Sequence, residues 1–170
     1  RMSLSILDTP ISYLDGAKDK YEKALVENTK FGMSEVHKSV FDHEIFDRET
    51  FNLIPILKRL KGKAIKQLGS SGGGNHFVEF GEVEITEEDQ QIGLPKGKYL
   101  GILSHSGSRG LGAEIAQYYS RVATEQCPLP KEAQNFAWLD LDSHLGLEYW
   151  TAMNLAGDYA KACHDDIHRR

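Results

Sequence analysis

Apolar positions recur with helical spacing in four places along the chain and with strand-like patterning in two. Asp15 to Lys30 consists mostly of good helix formers, with Tyr21 and Leu25 one turn apart. Asn52 to Leu68 sets Leu57, Leu60, Ala64 and Leu68 in one stripe, and Pro55 suits a first helical turn. Gly62 weakens the middle of this helix and is where it could split. Ala113 to Ala123 reads as a helix with Ile115, Ala116, Tyr119 and Val122 inward. The last helix is the clearest: Tyr149, Met153, Ala156, Ala160, Cys163 and Ile167 follow 4-3-4-3-4 spacing, and Asp142 or Ser143 could cap it. His76 to Ile85 alternates and reads as a strand, while Lys98 to Ser104 is nearly all apolar and reads as a buried one. Phe31 to Phe51 has no clean period and is expected to be irregular. The acidic stretch Glu87-Glu88-Asp89 is expected to be a solvated loop. The pattern predicts an α/β fold, a mixed sheet with flanking helices, in a single domain over residues 1–170.

Composition narrows the class. With 170 residues, 26% charged and 40% hydrophobic, the chain can bury one core. No apolar run reaches the ~18 residues a membrane span needs. Twenty basic against 25 acidic residues leave −5, so no global basic field advertises nucleic acid, although a local phosphate site is compatible with that balance. Two cysteines, Cys127 and Cys163, argue against a disulfide framework and for reduced thiols in the cytoplasm. Arg1 to Leu7 is too short an apolar stretch for a signal peptide. The chain starts with Arg and stops at Arg169-Arg170 inside a helical pattern, so a piece of a longer protein is expected.

Candidate chemistry gathers at two glycine-rich loops, each with a histidine where it meets a strand. The first is Gly72-Gly73-Gly74-Asn75-His76-Phe77-Val78-Glu79, the second His105-Ser106-Gly107-Ser108-Arg109-Gly110-Leu111-Gly112. Glycines let backbone approach a ligand and turn N–H groups toward an anion, and the second loop also feeds a helix start. His76 and His105 are candidate metal ligands, with internally bonded structural histidines as the alternative. Two imidazoles leave a coordination shell incomplete, so further ligands would come from elsewhere. Asn75 offers an amide to a phosphate or metal-bound oxygen, or is simply a turn residue. Phe77 and Glu79 share a strand face, where a ring and a carboxylate could read a purine; a core Phe beside a surface Glu fits equally. Arg109 is placed for a phosphate or RNA backbone, or for solvent.

Three other patterns are weaker. The first loop lacks the Gly-Lys-Ser/Thr ending of a Walker A loop. The second reads G-x-x-G-x-G rather than the G-x-G-x-x-G of a dinucleotide site, which leaves an oxidoreductase a distant alternative. His164 and His168 are four apart, as in helical zinc sites, but Asp165 replaces the expected Glu, and a solvated helix end is the expectation.

Gln67 to Glu79, followed by His105 to Gly112, strongly resembles the RtcB family of GTP- and manganese-dependent RNA ligases, and Tyr149 to Tyr159 resembles that family's long helix. The resemblance spans most of Leu60 to Tyr159; residues 1–51 match less firmly. It implies the central portion of a catalytic domain that joins an RNA 3′-phosphate or 2′,3′-cyclic phosphate to a 5′-hydroxyl, in tRNA splicing or RNA repair. It assigns His76 and His105 to a dinuclear Mn²⁺ site, Asn75 to the guanylate phosphate, Phe77 and Glu79 to the guanine pocket, and Arg109 to activity at the RNA phosphates. It implies GTP and RNA as partners, with an activating protein such as archease. The upstream Asp-x-x-Cys metal motif, the GMP-accepting histidine and a further metal histidine are not in this sequence, and Ala162-Cys163-His164 stands where relatives have Ala-Asn-Arg. This stretch alone is therefore expected to be inactive. Lys58, Arg59, Lys61, Lys63 and Lys66 could form part of a basic RNA channel, or a solvated helix face. A non-catalytic metal- or nucleotide-binding relative is the competing expectation.

Overall fold

Proline chemistry, rather than glycine, divides the second predicted helix. In a computed structural model, which describes residues 1–88, 90 and 93–170, β1 (Met2–Ile6) leads into α1 (Ser12–Gly16) and α2 (Lys18–Asn28). Two further helices follow, α3 (Thr50–Leu53) and α4 (Pro55–Gln67). Ile54 is extended (φ −105°, ψ 120°) because the residue before a proline is pushed out of the helical region, so the break falls there. α4 runs unbroken through Gly62, which faces open space. Its predicted stripe is buried: Leu57, Leu60, Ala64 and Leu68 are at most 3% exposed.

The strands β2 (Phe77–Ile85) and β3 (Gly97–His105) precede α5 (Arg109–Gln126) and α6 (His144–Arg169). α5 starts earlier than its periodicity suggested, taking Gly110 and Gly112 into its first turn, and buries Leu111, Ile115, Tyr119 and Ala123. Ala116 is exposed and Val122 only half-buried, so the predicted inward face is rotated. Ser143 caps α6 by accepting the Gly146 N–H at 3.0 Å. α6 lies between the sheet and the other helices, so its C-terminal half is buried well beyond the predicted stripe, including Tyr159, Ala162, His164 and Asp166. The aperiodic stretch from Phe31 contains a 3-10 turn at Glu44–Asp47, and it sends Ile45, Phe46 and Phe51 into the core beside Tyr159.

The sheet has the order β1-β3-β2 and is antiparallel at both pairings. The expected mixed sheet is thus an antiparallel one among the named strands, with helices and strands both present. The described parallel contact is an isolated bridge between Phe31 and Ser71. Without parallel neighbours these strands form no βαβ unit, which removes the frame a dinucleotide site requires. β1 itself was not anticipated. Its pairing of Met2 with His105 and Ile6 with Gly101 joins residues far apart in the chain. Alternation puts Leu100, Ile102 and Ser104 of β3 on the inner, buried face and Leu103 and His105 on the outer one. Glu87 and Glu88 are exposed as expected, while Asp89 lies outside the described residues. No helix among the described residues is long and apolar enough to cross a membrane.

Candidate metal and nucleotide site

Antiparallel register builds this site. Phe77 pairs with His105 and Glu79 with Leu103, so Phe77, Glu79 and His105 share the outer sheet face. The Phe77 and His105 rings meet edge-on, centroids 5.7 Å apart. His76, one residue before β2, turns its ring to the same place and meets His105 edge-on, also at 5.7 Å. Two histidines 29 positions apart in sequence are thus neighbours.

The first glycine loop accommodates the His76 ring. A Cβ on Gly72 would lie 2.3 Å from His76 Nδ1, so only glycine lets the imidazole rest against this backbone. His76 Nδ1 is buried and has no hydrogen-bond partner. Burial, then the adjacent His105 and Arg109, hold the His76 imidazole below its ordinary pKa. The ring therefore favours its neutral form near pH 7, which keeps one nitrogen lone pair available to a cation. An unpaired buried nitrogen costs free energy unless something binds it, and a second imidazole at its side is the donor set of a divalent transition metal. These residues fit such an ion. Among the described residues no group of three His, Cys, Asp or Glu side chains converges, so a cation held here would need ligands beyond these two imidazoles.

Asn75 is exposed beside His76, with Gly74 before it in the left-handed region (φ +75°). Glu79 is exposed and Phe77 half-buried. The sequence-derived neighbours His76, Asn75, Phe77, Glu79 and His105 are therefore gathered at one corner of the sheet.

Arg109 is nearby but differently engaged. Its backbone takes φ +53°, unusual for a residue with a side chain. Nη2 donates to the Gly32 carbonyl at 2.6 Å and Nε to Ser70 Oγ at 3.2 Å. Nη1 points to the first loop, 3.2 Å from where a Gly72 Cβ would stand. The guanidinium thus ties three chain segments together, with one nitrogen left on the histidine side. The second loop is also tighter than an open phosphate cradle. Gly110 N–H donates to Gln67 Oε1 at 3.0 Å, and a Cβ on Gly110 would collide with Lys63 and Gln67. Gly110 serves the packing of α5 on α4.

Several contributors were invisible in the linear pattern. Ser71 Oγ donates to Ser106 Oγ at 3.0 Å, both side chains buried, and joins the two loops directly. Serines in glycine-rich loops read as ordinary turn formers, and nothing local marks this pair. On α4, Arg59 and Lys63 pair with Glu114 at 3.8 and 2.7 Å, and Lys61 lies over the Phe51 ring at 5.7 Å. Much of the basic row is therefore engaged within the fold. His164 and His168 do not form a solvated end. His164 is fully buried, and both rings bond Ser104.

A family model described as tRNA-splicing ligase RtcB matches residues 11–170. The chain is 32% identical over 115 residues to a tRNA-splicing ligase RtcB of Pyrococcus furiosus, covering 63% of this chain and 12% of that protein. It is 31% identical over 110 residues to RNA-splicing ligase RtcB homolog 1 of Entamoeba histolytica, covering 63% and 21%. With a tRNA-splicing ligase RtcB of Nanoarchaeum equitans it shares 29% identity over 135 residues, 78% of this chain and 28% of that one. The matched stretch thus spans less than a third of the length of these relatives.

Proposed function

The chain belongs to the RtcB family, and on that premise we propose that it forms part of a GTP- and Mn²⁺-dependent RNA ligase. The reaction would join an RNA 3′-phosphate or 2′,3′-cyclic phosphate to a 5′-hydroxyl, in cytoplasmic tRNA splicing or repair. The carrying observation is the meeting of His76 and His105 from two separate loops, with His76 Nδ1 buried and unpaired.

In this reading His76 and His105 hold the cation together with ligands from outside this stretch. The ion would supply charge neutralisation at the reacting phosphates. Asn75, exposed next to His76, holds a phosphate oxygen of the guanylate through its amide. The Phe77 ring packs on guanine, and the Glu79 carboxylate, two residues along the same face, accepts its N–H donors. Arg109 presents Nη1 to the RNA phosphates while its other nitrogens hold the loops. Gly72 keeps the backbone low enough for the His76 ring to sit there.

The test uses the full-length product of the gene. Label from α-³²P-GTP is expected to become covalently attached only with Mn²⁺, and His76→Ala or His105→Ala should cut labelling by about a hundredfold or more. Full labelling of both variants overturns the ligand assignment. A second reading is a metal- or nucleotide-binding relative without ligase chemistry. It predicts Mn²⁺ binding without labelling.

A further inference from the structure

His105 lies between two serines whose side chains are completely buried, Ser104 and Ser106. Both are tied, and to different parts of the molecule. Ser104 Oγ is shared by His164 Nδ1 at 2.5 Å and His168 Nε2 at 2.7 Å, both on α6. His168 Nδ1 in turn meets Ser5 Oγ of β1 at 2.7 Å. Ser106 Oγ accepts from Ser71 Oγ, in the loop that carries His76. Buried hydroxyls and imidazoles are costly unless their geometry is satisfied, so each of these contacts resists displacement.

We propose that Ser104 and Ser106 are positioning residues that hold His105 at a fixed height and distance from His76. The proposal rests on the reading of His76 and His105 as metal ligands. Strand alternation puts the Ser104 side chain on the face opposite His105, so α6 grips the strand from behind while the imidazole stays free in front. The Ser106–Ser71 bond sets the separation of the two loops. Together they leave the His105 backbone little freedom, which is what a two-loop ligand pair requires. The His164-x-x-x-His168 spacing, a metal-site pattern in sequence, belongs to this support: its described ring contacts are with serine hydroxyls.

The double variant Ser71→Ala/Ser106→Ala tests it cleanly. Removing both partners leaves no orphaned hydroxyl, so thermal stability should stay close to that of the wild type. Mn²⁺ is titrated into the protein while paramagnetic broadening of the His76 and His105 ring resonances is followed by NMR. The double variant should bind about tenfold more weakly, the usual effect of losing an outer contact to a ligand. In the metal-free protein its His105 amide should exchange with solvent at least about tenfold faster, while amides in the middle of α6 are unchanged. Ser104→Ala should weaken Mn²⁺ binding similarly, and Ser104→Thr, which keeps the hydroxyl, should restore it. Wild-type Mn²⁺ affinity and wild-type His105 exchange in the double variant overturn the proposal. If Mn²⁺ broadens neither ring in the wild type, the metal reading fails, and the exchange rates still decide the positioning role.

Discussion

The two histidine pairs of this protein are built from the same side chain and treated in opposite ways. His164 and His168 point inward, and their described nitrogen contacts are with Ser104 and Ser5. His76 and His105 sit at the outer corner of the sheet, where His76 Nδ1 has no partner and the rings face one another. One pair has hydroxyl partners from the fold, although His164 Nε2 is itself left unbonded. The other remains available to something outside it. The glycine loops already marked His76 and His105 as candidate ligands, whereas His164 and His168, four apart on a helix, were expected at a solvated helix end and are buried instead. The difference teaches that a histidine's role is set by what its second nitrogen meets.

That contrast can be broken by stability measurements. The largest expected effect is from His164→Ala, which removes a fully buried ring and one of the two imidazole partners of the Ser104 hydroxyl. Urea denaturation should show a loss of about 2–4 kcal/mol. A loss under about 1 kcal/mol would mean the inner pair is not structural.

A pH series comes next. Burial is the first cause that holds His37, His76, His164 and His168 below the ordinary histidine range. A histidine whose folded pKa is depressed binds fewer protons folded than unfolded, so stability falls as pH drops below about 6.5 and levels off below the lowered folded values. The urea midpoint should therefore decrease between pH 7 and pH 5, by less than His164→Ala lowers it. A double His164→Gln/His168→Gln variant should show a flatter slope. An unchanged slope would show that the inner pair takes up protons alike in the folded and unfolded states.

The smallest effect is expected at the outer pair. His105→Ala should change stability by no more than about 0.5 kcal/mol while removing Mn²⁺ binding. A loss comparable to that of His164→Ala would erase the distinction between the two pairs.

Much of the helical layer was legible. Leu57, Leu60, Ala64 and Leu68, and Ala156, Ala160, Cys163 and Ile167, are buried as their spacing requires. The site was half legible. The glycine loops and their histidines stand out in the linear sequence because unusual backbone freedom has a compositional mark. Arg109 did not reveal that most of its donors turn inward, since the Gly32 carbonyl that fixes it is 77 residues away. Ala116 was placed inward beside Ile115, but the buried row runs Leu111, Ile115, Tyr119 and Ala123, and Leu111, which lies outside the predicted span, was needed to show it.

What the sequence determined by itself is therefore what short-range physics encodes: the helix stripes, a cap at Asp142 or Ser143, the glycine-rich loops and the residue types at their strand junctions. What only the tertiary structure decided is which of those residues meet. β1 becomes a strand by pairing with β3, and Ser5 reaches His168 across 163 positions. His76 becomes the neighbour of His105 only through antiparallel register, and Ser104 and Ser106 become its supports only once α6 and the first loop close on β3. Periodicity records how a segment presents its faces, but partners distant in the chain leave no trace in it, because their contacts form only when the layers close.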